Sequence, residues 1–174
     1  MRTAVIVLLT AAAAWAGEIK LHDQPLPEVK ASIQLPEGWA SSTESEEGVF
    51  VYHLGKGGHA GEPDPLAITL SVTTKVPERT TQSPSQYASA LIDMSQDEGP
   101  NSAIQKSQLN GLPSLRSEYH FESDKKMRAV NIAVPNDKTG TLYFFAWQAP
   151  TDEPAEHEAI RDKVVASVKF DPAF

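Results

Sequence analysis

The chain has 174 residues, with 15 Lys and Arg against 23 Asp and Glu, a formal net charge of −8 and no cysteine. The acidic balance argues against nucleic acid as a partner, because phosphate binding needs a concentrated positive surface. The lack of thiols excludes a disulfide framework, a cysteine nucleophile and cysteine metal ligands.

Residues 1–16 have the pattern of a cleaved export signal. Arg2 is the early positive charge, Ala4 to Trp15 is an apolar core, and Ala14-Trp15-Ala16 gives the small-x-small ending before Gly17. The core is too short for a membrane anchor, so no stable membrane insertion is expected after cleavage. Removing 16 of 174 residues leaves 158, with 14 basic and 23 acidic side chains and a net charge of −9. That length suits one domain with a substantial core. The expected location is periplasmic or secreted.

Residues 17–30 contain Pro25 and Pro27 and no clear period, which predicts an irregular lead-in to a single domain over 31–174. Ala31 to Leu35 reads as a strand stopped by Pro36, Leu35-Pro36-Glu37-Gly38-Trp39 as a turn, and Trp39 to Thr43 as a second strand. Val49 to Leu54 follows as a third, with the acids of Glu44-Ser45-Glu46-Glu47 at a solvated hairpin tip. Their spacing lacks the alternating oxygen ligands and turn glycine of an EF-hand. Gly55 to Pro65 has four glycines and two prolines in eleven residues and reads as a loop. His53, His59, Glu62 and Asp64 offer metal-ligand chemistry there, yet the glycines leave them unpositioned, and a strand follows where a phosphate loop would need a helix. The expectation is no metal site.

Leu66 to Thr74 alternates cleanly and predicts a half-buried strand, and Pro77 to Gln82 reads as a linker. Ser83-Pro84-Ser85-Gln86 is a capping box with proline at the first helical position, opening a helix whose inward stripe is Tyr87, Ala90, Leu91 and Met94. Ser102 to Leu109 and Ser114 to Phe121 flank the turn Asn110-Gly111-Leu112-Pro113, and Met127 to Val134 continues the meander. Arg116, Glu118 and His120 alternate away from Leu115, Tyr119 and Phe121 and read as an exposed polar face. Lys125, Lys126 and Arg128 read as a solvated turn. Thr141 to Ala149 carries apolar residues on both alternating faces and predicts a strand covered on both sides, the centre of the fold.

A helix is expected from Thr151 or Asp152 to Ser167, with Ile160, Val164, Ser167 and Val168 inward. His157-Glu158 departs from HExxH because Arg161 stands where the second histidine is required. No GxSxG elbow and no enforced carboxylate pair occurs, so no catalytic residue and no cofactor is expected.

Several stretches together resemble the PsbP-like superfamily, which spans PsbP, Mog-type and DcrB-like domains. They are Ile33-Gln34-Leu35-Pro36-Glu37-Gly38-Trp39, the proline-capped helix with Tyr87, Leu109-Asn110-Gly111-Leu112-Pro113, and the aromatic strand leading to a helix that ends Val164-Val165-Ala166-Ser167-Val168-Lys169-Phe170. The resemblance implies an α+β fold in which an antiparallel sheet of about six strands is sandwiched between helices. It also implies a module that binds a protein partner and has no shared catalytic residues. The loop Gly55 to Pro65 is not part of the family pattern. The competing expectations are a small metal-assisted hydrolase using that loop and a carrier of a small apolar ligand.

Overall fold

The computed structural model describes residues 19–56, 66–96, 103–123, 125–171 and 173–174. Strand β1 (Leu21–Leu26) and a short 3-10 helix (Pro27–Val29) lead into β2 (Ala31–Pro36). The expected irregular lead-in is therefore corrected over 21–29. β1 is the outer strand of a small sheet ordered β1-β2-β10, where Pro25 costs no interior ladder bond.

The main sheet begins with the hairpin β3 (Trp39–Glu46) and β4 (Val49–Lys56), joined at Glu47-Gly48, where both residues take positive φ. Glu44 to Glu46 thus lie in β3, and Gly55 and Lys56 belong to β4 and not to the expected loop; residues 57–65 lie outside the described residues. β5 (Ile68–Thr73) follows, then a five-residue helix α1 (Val76–Thr80) where a plain linker was expected.

Helix α2 (Pro84–Gln96) starts on the reciprocal bonds that its sequence encodes. Gln86 N–H donates to Ser83 Oγ at 3.2 Å, and Ser83 N–H donates to Gln86 Oε1 at 2.9 Å. A second cap comes from a distant turn, because Asp137 accepts from Ser85 N–H at 2.9 Å and from Ser85 Oγ at 2.7 Å. Its buried stripe is Ala88 and Ile92, flanked by Tyr87 and Leu91, whereas Met94, expected inward, is 67% exposed.

The meander β6 (Gln105–Leu109), β7 (Leu112–Glu122), β8 (Lys126–Asn136) and β9 (Thr141–Pro150) completes a seven-stranded antiparallel sheet ordered β3-β4-β5-β9-β8-β7-β6. The expected sheet of about six strands is thus one of seven beside a second sheet of three. β9 is the middle strand. Tyr143, Phe145 and Trp147 face one core with Val130, Ile132 and Val134, while Leu142 and Phe144 face the other with Ala133. Helices α1 and α2 cover this second face.

The first face is covered by the small sheet and by helix α3 (Ala155–Ala166), which runs into β10 (Lys169–Phe170). α3 lies against β2, where Gln34 N–H donates to Ser167 Oγ at 2.8 Å. Burial of Leu26, Val29, Ile33 and Leu35 against Phe145, Val164 and Val168 supplies this core, with each fully buried aliphatic side chain contributing about 1.5–3 kcal/mol. The α+β sandwich is the architecture expected from the sequence.

Candidate functional site

The residues singled out for possible chemistry fall into separate places. His53 lies on β4, 26% exposed, with Nε2 4.0 Å from Glu44 Oε1 on the neighbouring strand. His59, Glu62 and Asp64 lie outside the described residues. Among the described residues, no three His, Asp or Glu side chains converge as a metal centre would need.

A denser cluster forms beneath α3, where sequence reading placed only solvated groups. The register aligns Arg116 with Ile132, Glu118 with Val130 and His120 with Arg128, and puts Val130 beside Trp147. These polar side chains therefore share the face on which α3 packs. His120, Lys125 and Lys126 are exposed as expected, whereas the expected exposed face and solvated turn are corrected at Arg116, Glu118 and Arg128, which are 23%, 25% and 12% exposed. Glu153 and Arg161, which they approach, are buried at 5% and 0%.

Arg128 Nη2 donates to Glu153 Oε1 at 2.6 Å and lies 3.1 Å from Glu158 Oε2, while its Nη1 lies 3.7 Å from Glu118. Arg161 Nη2 donates to the same Glu153 oxygen. Arg116 joins through Asp162 at 3.2 Å and Glu158 at 3.6 Å. His120 and His157 stand at the margin, 3.4 Å from Glu118 and 4.0 Å from Glu153. The guanidinium carbons of Arg116 and Arg161 lie 5.6 and 5.8 Å from the Trp147 ring centroid. Weakly hydrated, planar guanidinium groups suit such stacking and bidentate pairing.

The electrostatics oppose acid–base work. The hydrogen bond from Arg128 holds the Glu158 carboxyl below its ordinary range despite partial burial, helped by the charges of Arg128, Arg116 and Arg161. Burial works against the Arg128 charge, but bonds to Glu158 and Glu153 outweigh it and raise its pKa further. A general acid at neutral pH needs a carboxyl shifted the other way. The cluster is a clamp of three arginines and four carboxylates that fixes α3 and its lead-in to the sheet.

An open feature lies at the tip of the β6–β7 hairpin. Asn110 and Gly111 both take positive φ, which a two-residue hairpin with the native strand twist requires. Asn110 Nδ2 donates to the carbonyl of Val168 and, at 3.4 Å, to that of Ala166, tying the hairpin to the end of α3. Beside it opens a cleft of about 410 Å³ with an apolar floor of Leu112, Pro135 and Phe170, the exposed Pro113, Asn110, Asp137 and Lys138 around it, and the buried Asn136 among its polar lining. Phe170 is braced by Tyr143, with ring centroids 4.3 Å apart. Burial, with the Asp171 charge, pushes the Tyr143 hydroxyl up to about 12. Asp137 is engaged by hydrogen bonds from Ser85 at the start of α2, and Lys138 lines the cleft beside it. The Asn-Gly turn was legible in the sequence; its cleft required the docking of β10.

No protein-family model matches the chain, and no curated protein matches it either. Its fold is similar to that of cyanobacterial PsbP (CyanoP) from Synechocystis sp. PCC 6803, at 11% identity and a TM-score of 0.60, covering 93% of this chain and 99% of that one. It is similar to LpqN of Mycobacterium tuberculosis, described as involved in cell envelope biogenesis, at 14% identity and a TM-score of 0.55, covering 90% and 93%. The Ran-binding protein Mog1p of Saccharomyces cerevisiae matches at 10% identity and a TM-score of 0.52, covering 87% and 96%. A longer chain from Bacteroides thetaiotaomicron VPI-5482 matches at 12% identity and a TM-score of 0.53; this chain covers 48% of it, about half its length. The likeness is one of fold, the PsbP-like α+β sandwich.

Proposed function

We propose that the chain is an exported, non-catalytic protein-binding or adaptor module of the cell envelope or extracellular space. In this reading residues 1–16 are removed and the rest forms one domain that begins with β1. The observation that carries it is the contrast between the two polar regions. The ionisable side chains beneath α3 neutralise one another, whereas the cleft at the β6–β7 tip keeps an apolar floor within a hydrogen-bonded frame. Such a frame suits side chains of a protein partner, because little ordering remains for binding to impose.

The solved relatives lend support at the level of fold: one is described as Ran-binding and another as involved in envelope biogenesis. No helix among the described residues is long and apolar enough to cross a membrane. A carrier of a small apolar ligand is the second reading, favoured by a cleft volume within the usual range of small-ligand sites. The test is co-purification of the tagged protein from its own cells beside Leu112→Asp. The expected result is a stoichiometric protein partner with the native chain, reduced at least tenfold in a variant of unchanged melting temperature. A bound lipid or other small molecule in place of a protein would favour the carrier. Equal partner recovery in both samples would remove the cleft from the function.

A further inference from the structure

β3 closes one end of the main sheet, and among the described residues β4 is its only strand neighbour. All eight residues pair with β4 in an unbroken register from Trp39 with Lys56 to Glu46 with Val49. Across the two-residue turn Glu47-Gly48, Glu46 and Val49 form the hydrogen-bonded pair, so by alternation the N–H and C=O groups of Thr43 and Ser45 point away from β4. Thr43 to Glu46 are exposed. Protein sheets usually blunt such an edge with charged side chains, lysine above all, or with proline, a bulge or a short strand. β3 is eight residues long, pairs without a bulge and has neither lysine nor proline. Its charges are the acids Glu44 and Glu46, which repel an acidic strand and leave the edge open to a basic one; the opposite edge, β6, is five residues long and carries Lys106.

A groove of about 400 Å³ runs beside the free edge. The register places Glu44 across from Val51 and Glu46 across from Val49, so carboxylates and valines share one face. Arg79, which donates to the Glu47 carbonyl, closes one end of the groove, and His53 stands near Glu44. Backbone groups without strand partners among the described residues, an apolar floor and an acidic wall thus occur together.

We propose that β3 is an addition site for an extended basic segment of a protein partner. The segment would pair with the outward backbone groups of Thr43 and Ser45 and set alternate Lys or Arg side chains against Glu44 and Glu46, the strand-addition mode of peptide recognition. The surface shares no lining residue with the cleft and stands independently of it.

The test uses the purified protein and an eight-residue peptide of alternating Lys and Val, with a Glu–Val peptide as control. Hydrogen exchange followed by NMR should show the Thr43 and Ser45 amides slowed at least tenfold by the Lys–Val peptide and unchanged by the control. Ser45→Pro removes one outward donor and should abolish the protection. Glu44→Lys with Glu46→Lys, which leaves the backbone intact should the proline disturb the hairpin, should weaken binding at least tenfold. Absence of binding, protection mapping elsewhere, equal binding of the control peptide, or retained binding in the charge-reversed variant would overturn the proposal. Concentration-dependent protection of these amides without peptide would overturn it by showing that a second copy fills the edge.

Discussion

Replacing Trp147 by alanine is expected to lower the unfolding free energy by about 3–5 kcal/mol, read from denaturant melts, as for other buried aromatic truncations. Trp147 sits on the middle strand of the main sheet, 4% exposed, within the larger core and beneath two guanidinium groups. Truncation would open a cavity at the centre of the fold and remove the surface on which Arg116 and Arg161 stack. Its buried indole N–H has no hydrogen-bond partner among the described residues, so Trp147→Phe should cost much less than Trp147→Ala. Glu46→Ala, at an exposed position, should stay within about 0.5 kcal/mol of the parent. Equal costs for Trp147→Ala and Glu46→Ala would contradict this placement of the strand.

Glu153→Ala should cost a comparable amount, about 3–5 kcal/mol, because it removes one partner from a buried ionic cluster. Glu153 Oε1 accepts from both Arg128 and Arg161, and the side chains of those two arginines are 12% and 0% exposed. The paired variant Glu153→Leu with Arg161→Met exchanges charges for apolar volume and should recover most of the loss, since well-packed apolar replacements of buried ion pairs are often neutral or stabilising. A single-variant cost under about 1 kcal/mol, or a double variant no more stable than the single, would show that the clamp is not energetically coupled.

What could be read from the sequence depended on how local the determining interaction is. β9 was legible because both of its alternating faces are apolar, and the capping box of α2 because Ser83 and Gln86 need only each other. β1 was not. It is an outer strand, half of its residues exposed, and its partner β2 supplies the order that Pro25 and Pro27 seemed to deny. The stripe of α2 was placed partly off centre: Tyr87 and Leu91 pack against the core as expected, but Ala88 and Ile92 form its buried centre and Met94 is exposed, because both sets recur with helical spacing and only the position of β7 and β8 decides between them.

The clamp was missed for a related reason. Arg128 lies in phase with Val130, Ile132 and Val134, the alternation that identifies the core face, and this is the signal that could have marked it as buried. Glu153 looked like a first-turn acid favoured by the helix dipole, yet it precedes α3 and reaches under it. Its meaning comes from β8 and α3 arriving at one place, which short-range patterns do not encode. The turn expected over Asn110-Gly111-Leu112-Pro113 is confined to Asn110-Gly111, with Leu112 and Pro113 already paired in β7, while the cleft beside it depends on β10 returning across β2.

The reading as a contact protein is tested most directly by a photo-crosslinking residue at Leu112, on the cleft floor, with another at the exposed Lys163 of α3 as control, both expressed in the cells that make the protein. The account predicts a discrete protein adduct from position 112 and none from 163. Equal adducts from both positions, or none from 112 while the fold is intact, would contradict it.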